Sequence, residues 1–411
     1  MKIAMFVDCY YPRVNGVVVS VKSYSEALVK KGHQVCIVCP EYKQNKNEKT
    51  PLFYTDNTVK HNPEVQILRI KSMDLGLWSK DDRLARLDQW YKIKTSMDEW
   101  KPDVIHVNCE WAMGWFGITY ARHRHVPSVY TFHTLWEEYI ACYSKMLPEF
   151  ASEKVGRELV KFYLKRADEI IVPTERIGKV VDRYDIGKDY DILPTGIPEN
   201  IAVYEKSYMN VFFNHLHNLL PYVHKKHVLL YVGRIEKEKN LDFLVDMLGE
   251  VRKTVNDAVL LFVGGGNYLE GLKAYAKKKP YSWNVCFAGY RTRDELSYFY
   301  NFADVFVFSS LTETQGLVTV EAMMCGLPVV AIGEMGTADI MRGDNGGFMV
   351  GNDLNEFSQC VCQLLTDSKL HDLKSKEAKE WSKQWSLTLL TDKLIGFYEK
   401  AIKRHGENKL Q

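Results

Sequence analysis

The stretch ADVFVFSSLTETQGLVTVEAMMCGLPVVAI, residues 303–332, has the pattern of a strand, a loop, a helix and a second strand. Val305–Phe308 is a short apolar run of β-branched and aromatic residues, which indicates a buried strand. Helical spacing of apolar residues begins at Leu317, and a Gly-Leu-Pro sequence ends it before a second buried strand at Val329–Ile332. In open α/β folds the loop of such a unit lies at the carboxyl end of the sheet, where ligands bind.

Two glutamates, Glu313 and Glu321, lie eight positions apart across this loop and helix. Glu313 falls in the predicted loop and Glu321 in the first turns of the helix, and neither is expected in the core. One interpretation is a solvated pair, because the helix dipole favours carboxylates near a helix start. The other is that both bind one ligand at the carboxyl end of the sheet.

The same alternation of strands and helices runs through most of the 411 residues. Strands are predicted at 2–7, 34–38, 65–70, 104–107, 128–131, 170–172 and 191–193, and then at 228–232, 259–263, 285–288, 305–308, 329–332 and 347–350. Alternation predicts parallel sheets covered by helices, and two series predict two doubly wound, Rossmann-like domains facing a cleft. The predicted domains are residues 1–197 and 198–385, with a C-terminal helix at about 386–411 packing back on the first.

Composition narrows the class of protein. Apolar residues make up 46% of the chain and charged residues 26%, which is typical of a soluble globular protein. The formal net charge of +2 provides no bulk attraction to nucleic acid. The amino terminus does not resemble a signal peptide, and no run of 18 apolar residues is present to span a membrane. Scattered cysteines favour reduced thiols in a cytosol, and Cys36 and Cys39 are expected to be core residues of a strand.

Two sheets of this type also suggest a dehydrogenase, but the glycine pattern argues against it. The loop after the first strand, residues 8–16, has no G-x-G-x-x-G sequence. The triplet 264–266, Gly-Gly-Gly, does follow a strand. A lone glycine triplet is a weak signal, however, because it also makes an ordinary tight turn.

Two cations follow the first strand of the second series. Arg234 and Lys239 are five positions apart across a turn into a helix, so both can reach the edge of the sheet where the Glu313 loop opens. A guanidinium bonds a diphosphate in a fork, and an ammonium adds a point charge as the leaving group gains charge. Charged surface near a helix start is the alternative. Cations for phosphate together with carboxylates for vicinal hydroxyls describe a sugar-nucleotide site.

These residues resemble the signature of retaining GT-B glycosyltransferases of family four. The resemblance rests on Gly233-Arg234 with Lys239, on the pair Glu313 and Glu321, and on the Gly-Leu-Pro-Val-Val that follows them. In the first half, segments 12–17 and 102–106 resemble the family's glycine loop and the strand before its acceptor region. The segment 130–139, YTFHTLWEEY, is similar to the histidine segment of the diacylglycerol glucosyltransferase branch. One departure is Gln315 before Gly316, where most members have Phe.

The resemblance implies roles for these residues in binding the donor. Glu313 would hold hydroxyls of the donor sugar, and Glu321 would hold the ribose. Arg234 and Lys239 would neutralise the diphosphate. The backbone near the donor sugar would be that of Gln315, Gly316 and Leu317.

Three further positions receive roles from the resemblance alone. The backbone at Gly16 would approach the phosphate or sugar, where a side chain would clash with the ligand. Tyr290, between Gly289 and Arg291, would border the uracil. His133 would face the anomeric carbon or the sugar 6-hydroxyl, whereas His106 is expected to be structural. The residues expected to act in catalysis are His133, Arg234, Lys239 and Glu313.

A predicted helix carries four basic residues at helical spacing: Lys154, Arg157, Lys161 and Lys165. An apolar row lies beside them: Val155, Leu159, Phe162 and Tyr163. Such a helix can lie on an anionic membrane surface, and it can also be an ordinary amphipathic helix with a solvated face. The family resemblance favours the membrane. A less regular region with Leu84, Leu87, Tyr91 and Trp100 is expected to belong to the core.

The resemblance therefore implies a retaining enzyme that moves a hexose, glucose from UDP-glucose, to a lipid acceptor such as diacylglycerol at the cytosolic membrane face. We expect no cofactor and no metal, because no Asp-x-Asp of metal-using sugar transferases lies in a suitable loop. The expected partners are a nucleotide sugar, a lipid acceptor and an anionic membrane surface, with no nucleic acid. Two rivals remain: a transferase with a soluble or cell-wall acceptor, and a non-catalytic protein that binds sugar nucleotides.

Overall fold

The computed structural model describes residues 1–13, 15–42, 62–74, 83–133, 149–203, 227–313 and 315–410. The chain folds as two compact units. Met1–Gly196 together with Leu387–Gln411 form the first unit, and Ile197–Ser386 form the second. The fold in each unit follows from apolar runs that become buried strands.

The first unit is built on a parallel sheet. Its strands are β1 (Lys2–Phe6), β2 (Gln34–Pro40), β3 (Gln66–Ile70), β4 (Ser72–Asp74), β5 (Arg83–Ala85), β6 (Val104–Val107), β7 (Ser128–Thr131), β8 (Glu169–Val172) and β9 (Asp191–Ile192). Among the described residues, seven of these form one sheet in the order β3-β2-β1-β6-β7-β8-β9, while β4 and β5 form an antiparallel hairpin. Its helices are α1 (Gly16–Lys30), α2 (Trp90–Trp100), α3 (Ala112–Arg124), α4 (Glu149–Arg166) and α5 (Glu175–Asp182).

The second unit repeats this plan with a smaller sheet. Its strands are β10 (Val228–Val232), β11 (Val259–Val263), β12 (Val285–Gly289), β13 (Val305–Phe308), β14 (Val329–Ile332) and β15 (Gly347–Val350), which pair in parallel in the order β12-β11-β10-β13-β14-β15. Its helices are α6 (Leu241–Val251), α7 (Leu269–Lys277), α8 (Arg293–Phe302), α9 (Leu317–Met324), α10 (Met335–Ile340), α11 (Leu354–Thr366) and α12 (Ser368–Ser382). The last helix, α13 (Leu387–Leu410), returns to the first unit.

Alternating side chains of β1 supply both cores of the first unit. Ala4 and Phe6 pack on the face covered by α2, α3 and α4, whereas Ile3 and Met5 pack on the face covered by α1 and α13. The strands are therefore apolar on both faces, as parallel sheets between helix layers require. This arrangement confirms the prediction of two parallel, Rossmann-like sheets.

The predicted strands are all present, with bounds that differ by at most two residues. The prediction missed the β4–β5 hairpin, whose strands are only three residues each and too short to show a period. Cys36 and Cys39 are buried free thiols in β2, as expected, and burial raises the pKa of each to about 12. Both are therefore core residues that stay protonated near neutral pH.

Candidate active site

The strand order of the second sheet brings two loops together. The chain runs from β10 outward to β11 and β12, and then returns to place β13 on the other side of β10. The loops that follow β10 and β13 therefore leave the carboxyl ends of adjacent strands in opposite directions. Such a switch point forms a crevice where ligands bind in open α/β sheets.

Hydrogen bonds join these two loops. The loop after β10 contains a single 3₁₀ turn, Lys237–Lys239, and then Asn240 in the left-handed conformation with φ of 55°. The hydroxyl of Ser309, at the end of β13, donates to the carbonyl oxygens of Lys239 at 3.1 Å and Asn240 at 2.9 Å. The backbone that carries Lys239 is therefore fixed to the start of the Glu313 loop.

The side chains of Lys239 and Glu313 form an ion pair at the switch point. The Nζ atom of Lys239 lies 3.0 Å from Oε2 of Glu313 and 3.3 Å from the hydroxyl oxygen of Ser310. The two side chains are only 9% and 22% exposed, so water screens the pair weakly. The amide of Gly336 donates to the Glu313 carbonyl oxygen at 2.7 Å, which holds this loop from its other side.

Gly316 turns the chain from the Glu313 loop into α9. It has φ of +60°, and a Cβ atom there would lie 2.9 Å from Cδ1 of Ile340. The left-handed conformation and this close contact both favour glycine. The turn places Leu317 at the start of α9.

Glu321 is buried, whereas the sequence predicts a position outside the core. It is 7% exposed, and each of its carboxylate oxygens has a donor. Nη2 of Arg293 lies 2.9 Å from Oε1, and the hydroxyl of Tyr300 donates to Oε2 at 3.0 Å. Burial, followed by the negative charge of Glu321, raises the pKa of Tyr300 well above its usual value. A carboxylate tolerates this environment because it is paired and hydrogen-bonded.

Arg234 occupies the outer part of the loop after β10. Its side chain is 52% exposed, and Nη2 lies 3.4 Å from Oε1 of Glu238. Its carbonyl oxygen accepts a hydrogen bond from the buried hydroxyl of Tyr231 at 2.9 Å. Burial raises the pKa of Tyr231, Glu313 raises it further and Arg234 lowers it, so the two charged groups both lie near this tyrosine.

The glycine triplet has a packing role. Gly264 has φ of +144°, and a Cβ atom there would lie 1.9 Å from the carbonyl oxygen of Gly233. A Cβ atom at Gly266 would lie 2.2 Å from the carbonyl oxygen of Ile235. The amide of Ile235 also donates to the carbonyl oxygen of Gly265 at 2.9 Å. The triplet thus lets the loop after β11 pack directly against the backbone that carries Arg234.

Tyr290 lies beyond the end of β12, two strands from β10. It is 59% exposed, and Gly289 before it has φ of +74°. Arg291 is paired with Glu295 at 3.5 Å. An exposed aromatic ring at the carboxyl edge of a sheet is the type of group that stacks on a planar ligand.

Gly16 begins α1 in the first unit. The side chain of Asn15 caps this helix by accepting a hydrogen bond from the amide of Val18 at 2.9 Å. A Cβ atom built at Gly16 meets nothing within 4 Å, so packing inside the described part of the chain does not require glycine here. Open space beside a helix start is compatible with the close approach of a ligand.

His133 follows β7 and is hydrogen-bonded to Asn108, which follows β6. Its Nε2 atom lies 3.0 Å from Oδ1 of Asn108, while Nδ2 of Asn108 donates to the carbonyl oxygen of His106 at 3.4 Å. This orientation of the amide makes Nε2 of His133 the protonated nitrogen. Burial of the ring lowers the pKa of His133 to about 4, so the imidazole is neutral near pH 7. The segment 134–139 lies outside the described residues.

His106 is structural, as expected. Its ring nitrogens lie 2.8 Å from the hydroxyl of Tyr398 on α13 and 2.7 Å from that of Thr131 on β7. The residue is 4% exposed. Both nitrogens are thus used inside the fold.

The basic row of α4 faces outward. Lys154, Arg157 and Lys165 are exposed, whereas Lys161 is half-buried and lies 3.8 Å from Glu158. The apolar row is split. Val155 is 54% exposed, Leu159 and Phe162 are half-buried, and Tyr163 belongs to the core, where its hydroxyl donates to the carbonyl oxygen of Glu110 at 2.8 Å.

Two residues expected in the core lie on the surface instead. Leu87, in the 3₁₀ turn before α2, is 69% exposed, and Tyr91, in the first turn of α2, is 76% exposed. Trp115 on α3 is 41% exposed and lies 6.0 Å from the ring of Trp90 on α2. The outer surface of α2 and α3 therefore presents large apolar side chains.

Two negative findings hold within the described part of the chain. No helix there is long and apolar enough to cross a membrane. No group of three or more His, Cys, Asp or Glu side chains is arranged to hold a metal ion among the same residues.

Comparison with known proteins decides the family. Residues 14–200 match Glycosyltransferase Family 4, and residues 216–381 match Glycosyl transferases group 1. The chain is also 31% identical over 359 residues to an alpha-monoglucosyldiacylglycerol synthase of Acholeplasma laidlawii, and the alignment covers 86% of each protein. The chain belongs to glycosyltransferase family 4.

Other relatives of this family 4 glycosyltransferase agree. An alpha-monoglucosyldiacylglycerol synthase of Streptococcus pneumoniae is 29% identical over 334 residues, which cover 81% of this chain and 71% of the relative. The structure of Anabaena Alr3699/HepE in complex with UDP and glucose superposes with a TM-score of 0.72 at 16% identity, covering 96% of this chain and 98% of the other. At that identity the likeness shows a shared GT-B fold alone.

Proposed function

We propose that this glycosyltransferase is a retaining hexosyltransferase that moves glucose from UDP-glucose to a lipid acceptor such as diacylglycerol. The buried pair of Lys239 and Glu313 at the switch point carries the donor half of the proposal, since it joins a phosphate-binding cation to a hydroxyl-binding carboxylate. The names of the two synthases of Acholeplasma laidlawii and Streptococcus pneumoniae support the glucosyl group and the lipid acceptor.

In this proposal each charged residue of the second unit binds a different part of one donor molecule. Lys239 and Arg234 bind the diphosphate and stabilise the negative charge that grows on it as the sugar leaves. Glu313 accepts hydroxyl groups of the hexose, with the backbone of Gln315, Gly316 and Leu317 beside it. Glu321 accepts the ribose hydroxyls, and Tyr290 borders the base. A glycosidase would instead need two carboxylates at a single bond.

The Lys239–Glu313 pair suits a donor that brings both phosphate and hydroxyl groups. Before the ligand binds, the two charges compensate each other in a site with little water. The diphosphate then gives the ammonium a second anionic partner, and the sugar hydroxyls give the carboxylate new donors. Neither charge is left buried and unpaired at any stage.

His133 receives the role of a hydroxyl acceptor. Its Nε2–H group donates a hydrogen bond to Oδ1 of Asn108, so the lone pair that can accept a hydrogen bond is on Nδ1. Because the pKa of His133 is lowered to about 4, the ring is a poor proton donor near pH 7. This suits a hydrogen bond from the sugar 6-hydroxyl better than acid catalysis. Gly16 allows its backbone to approach the donor.

We further propose that catalysis needs no cofactor and no divalent metal. Charge stabilisation at the diphosphate is assigned to Lys239 and Arg234, which replaces the usual part of a metal ion as a Lewis acid. The closeness of Lys239 to Glu313 and Ser310 supports this assignment, because the ammonium is held in place by the protein itself.

We assign binding of the lipid acceptor to a membrane-binding surface of the protein, formed by α2, α3 and α4 of the first unit. Exposed apolar groups on this layer include Tyr91 and Trp115, and aromatic rings of this kind favour the membrane interface. The exposed cations of α4 attract anionic headgroups. A groove of about 360 Å³ between α3 and α4 adds two more arginines. Its lining residues are Ile118, Thr119, Arg122, His123, Phe162 and Arg166.

The proposed location is cytoplasmic, with peripheral association at the inner face of the cell membrane. The test is a screen of UDP sugars against total lipid extract and against purified diacylglycerol, with products identified by mass and NMR. The expected product is a glucosyldiacylglycerol with the α-anomeric configuration of the donor. Transfer to soluble acceptors only would favour the first rival, and UDP binding without turnover on any acceptor would favour a non-catalytic protein.

A further inference from the structure

The Glu321 carboxylate is held by two residues of α8. Arg293 is the first residue of this helix and Tyr300 lies seven positions later, two turns along the same face. The guanidinium of Arg293 donates to Oε1 at 2.9 Å, and the hydroxyl of Tyr300 donates to Oε2 at 3.0 Å. One helix therefore supplies a donor to each oxygen of a carboxylate that belongs to another helix, α9.

The two donors are themselves fixed in position. A capping box begins α8: Glu295 accepts hydrogen bonds from the amide of Thr292 at 2.9 Å and from its hydroxyl at 2.8 Å. The ring of Tyr300 is 1% exposed and packs 6.0 Å from the ring of Phe306 on β13. Rotation of the Glu321 side chain would break both hydrogen bonds, so its carboxylate has one preferred orientation.

This arrangement uses half of the hydrogen-bonding capacity of the carboxylate. An ionised carboxylate offers about two acceptor positions on each oxygen. With one position on each oxygen occupied, one further position remains on each. Two oxygens of one carboxylate, each with one acceptor position left, are the complement of two hydroxyl groups on neighbouring carbons, such as the 2′- and 3′-hydroxyls of a ribose.

We infer that Arg293 and Tyr300 are positioning residues that direct Glu321 toward a ribose diol, so that selection of a ribonucleotide over a deoxyribonucleotide depends on them. The inference rests on the proposed function, in which Glu321 binds the ribose. Preorganisation raises affinity because the free site does not have to order its side chain on binding. Arg293 and Tyr300 act through Glu321 and need not touch the nucleotide.

The test is calorimetric titration of the full-length protein with UDP and with 2′-deoxy-UDP. In the wild type we expect UDP to bind about ten- to a hundredfold more tightly, since a hydrogen bond to a charged acceptor is at stake. Glu321→Ala should bring this ratio close to one. Tyr300→Phe and Arg293→Met should each reduce the ratio by about threefold or more, and Arg293→Lys should retain part of it.

Tyr275→Phe is the matched control, because it removes a hydrogen bond of 2.8 Å between a tyrosine and Asp246 elsewhere in the same unit. It should leave the ratio unchanged. A purely structural role of Tyr300 would weaken both ligands equally and keep the ratio, which would overturn the inference. If the Tyr300→Phe variant does not fold, the Arg293→Met variant tests the inference by the same ratio of UDP affinity to 2′-deoxy-UDP affinity. The Arg293 side chain is partly exposed, so its replacement disturbs the core less.

Failure of the inference and failure of the proposed function give different results. If the wild type separates the two ligands and only Glu321→Ala abolishes the difference, the positioning role is wrong while the donor site stands. A wild type that binds both ligands equally excludes the ribose role of Glu321 and with it the inference. Absence of UDP binding to the wild type overturns both.

Discussion

The ammonium of Lys239 lies 3.0 Å from the carboxylate of Glu313, although 74 positions separate the two residues in the chain. The contact exists because β10 and β13 are neighbours in the sheet, so the loops that follow them meet. Each side chain is largely buried, and each would carry an uncompensated charge if the other were removed. Substitution at either position therefore has consequences that an exposed pair would not show.

The first prediction concerns the two cations. Lys239→Met and Arg234→Met should each lower kcat/KM for UDP-glucose about tenfold to a hundredfold, because a charge-assisted hydrogen bond to the diphosphate is lost. Steady-state kinetics with product quantified by mass measures this. Lys237→Met is the control, since Lys237 is exposed in the same turn. Wild-type kinetics in both variants would exclude the diphosphate role.

A second prediction separates the glutamates. Glu321→Ala should weaken binding of UDP itself about tenfold or more, because the ribose loses a charged acceptor. Glu313→Gln should leave the affinity for UDP nearly unchanged and reduce turnover, since its assigned partner is the hexose. Titration with UDP, compared with turnover of UDP-glucose, measures both. The reverse order of UDP affinities would show that the assignments are interchanged or wrong.

The third prediction is that turnover persists in excess EDTA. The diphosphate charge is assigned to Lys239 and Arg234, so removal of divalent ions should change the initial rate by less than about twofold, a difference well under 1 kcal/mol. Rates are measured after dialysis against chelator and again after Mg²⁺ or Mn²⁺ is added. Loss of activity that either ion restores would contradict the metal-free proposal.

The fourth prediction tests the membrane surface. Lys154 and Lys165 are exposed on α4, and each basic residue near an anionic bilayer contributes about 1 kcal/mol of attraction. Changing both to Glu should reduce binding to vesicles that contain anionic lipid by well over tenfold, and added salt should weaken the wild type in the same direction. Co-sedimentation measures the bound fraction.

The control for this surface is Lys277→Glu with Lys278→Glu, which makes the same charge change at exposed residues of the second unit. It should bind vesicles like the wild type, and both double variants should bind UDP normally. Equal vesicle binding by the α4 variant and its control would leave the basic row as a solvated face and favour a soluble acceptor.

The fifth prediction concerns stability in acid. Burial, and secondarily the nearby His133, lowers the pKa of His106 to about 3, below the ordinary value near 6.5. Between these two values the unfolded chain binds the proton and the folded chain does not, so the contribution of His106 to stability is present above pH 6.5 and is lost as the pH falls. The loss per pH unit is at most about 1.4 kcal/mol.

Denaturant unfolding at pH 6.5 and pH 5 measures this effect. His106→Gln should reduce the difference in unfolding free energy between the two pH values by about 1 to 2 kcal/mol, although the variant is less stable overall. His123→Gln, at an exposed position, should leave the difference as it is in the wild type. An unchanged pH dependence in His106→Gln would show that this histidine does not set it.

The sequence by itself determined the strands of the two parallel sheets, the fold class and the positions of the two loops. Buried parallel strands such as Val228–Val232 are continuous apolar runs, and helices such as α9 have their own period and a Gly-Leu-Pro stop. These signals are local, so each element can be predicted from its own residues without knowledge of the rest of the chain. The spacing of Glu313 and Glu321 was visible for the same reason.

Tertiary structure alone decided which groups each of these residues meets. Burial of Glu321 depends on Arg293 and Tyr300, which are 28 and 21 positions away along the chain, and nothing in their local sequence marks them as partners of a carboxylate. The link between His133 and Asn108 likewise joins the ends of two strands. A buried charge is tolerated only when it is paired or hydrogen-bonded, and the partners of Glu321 come from segments that the packed sheet brings close and that no local period reveals.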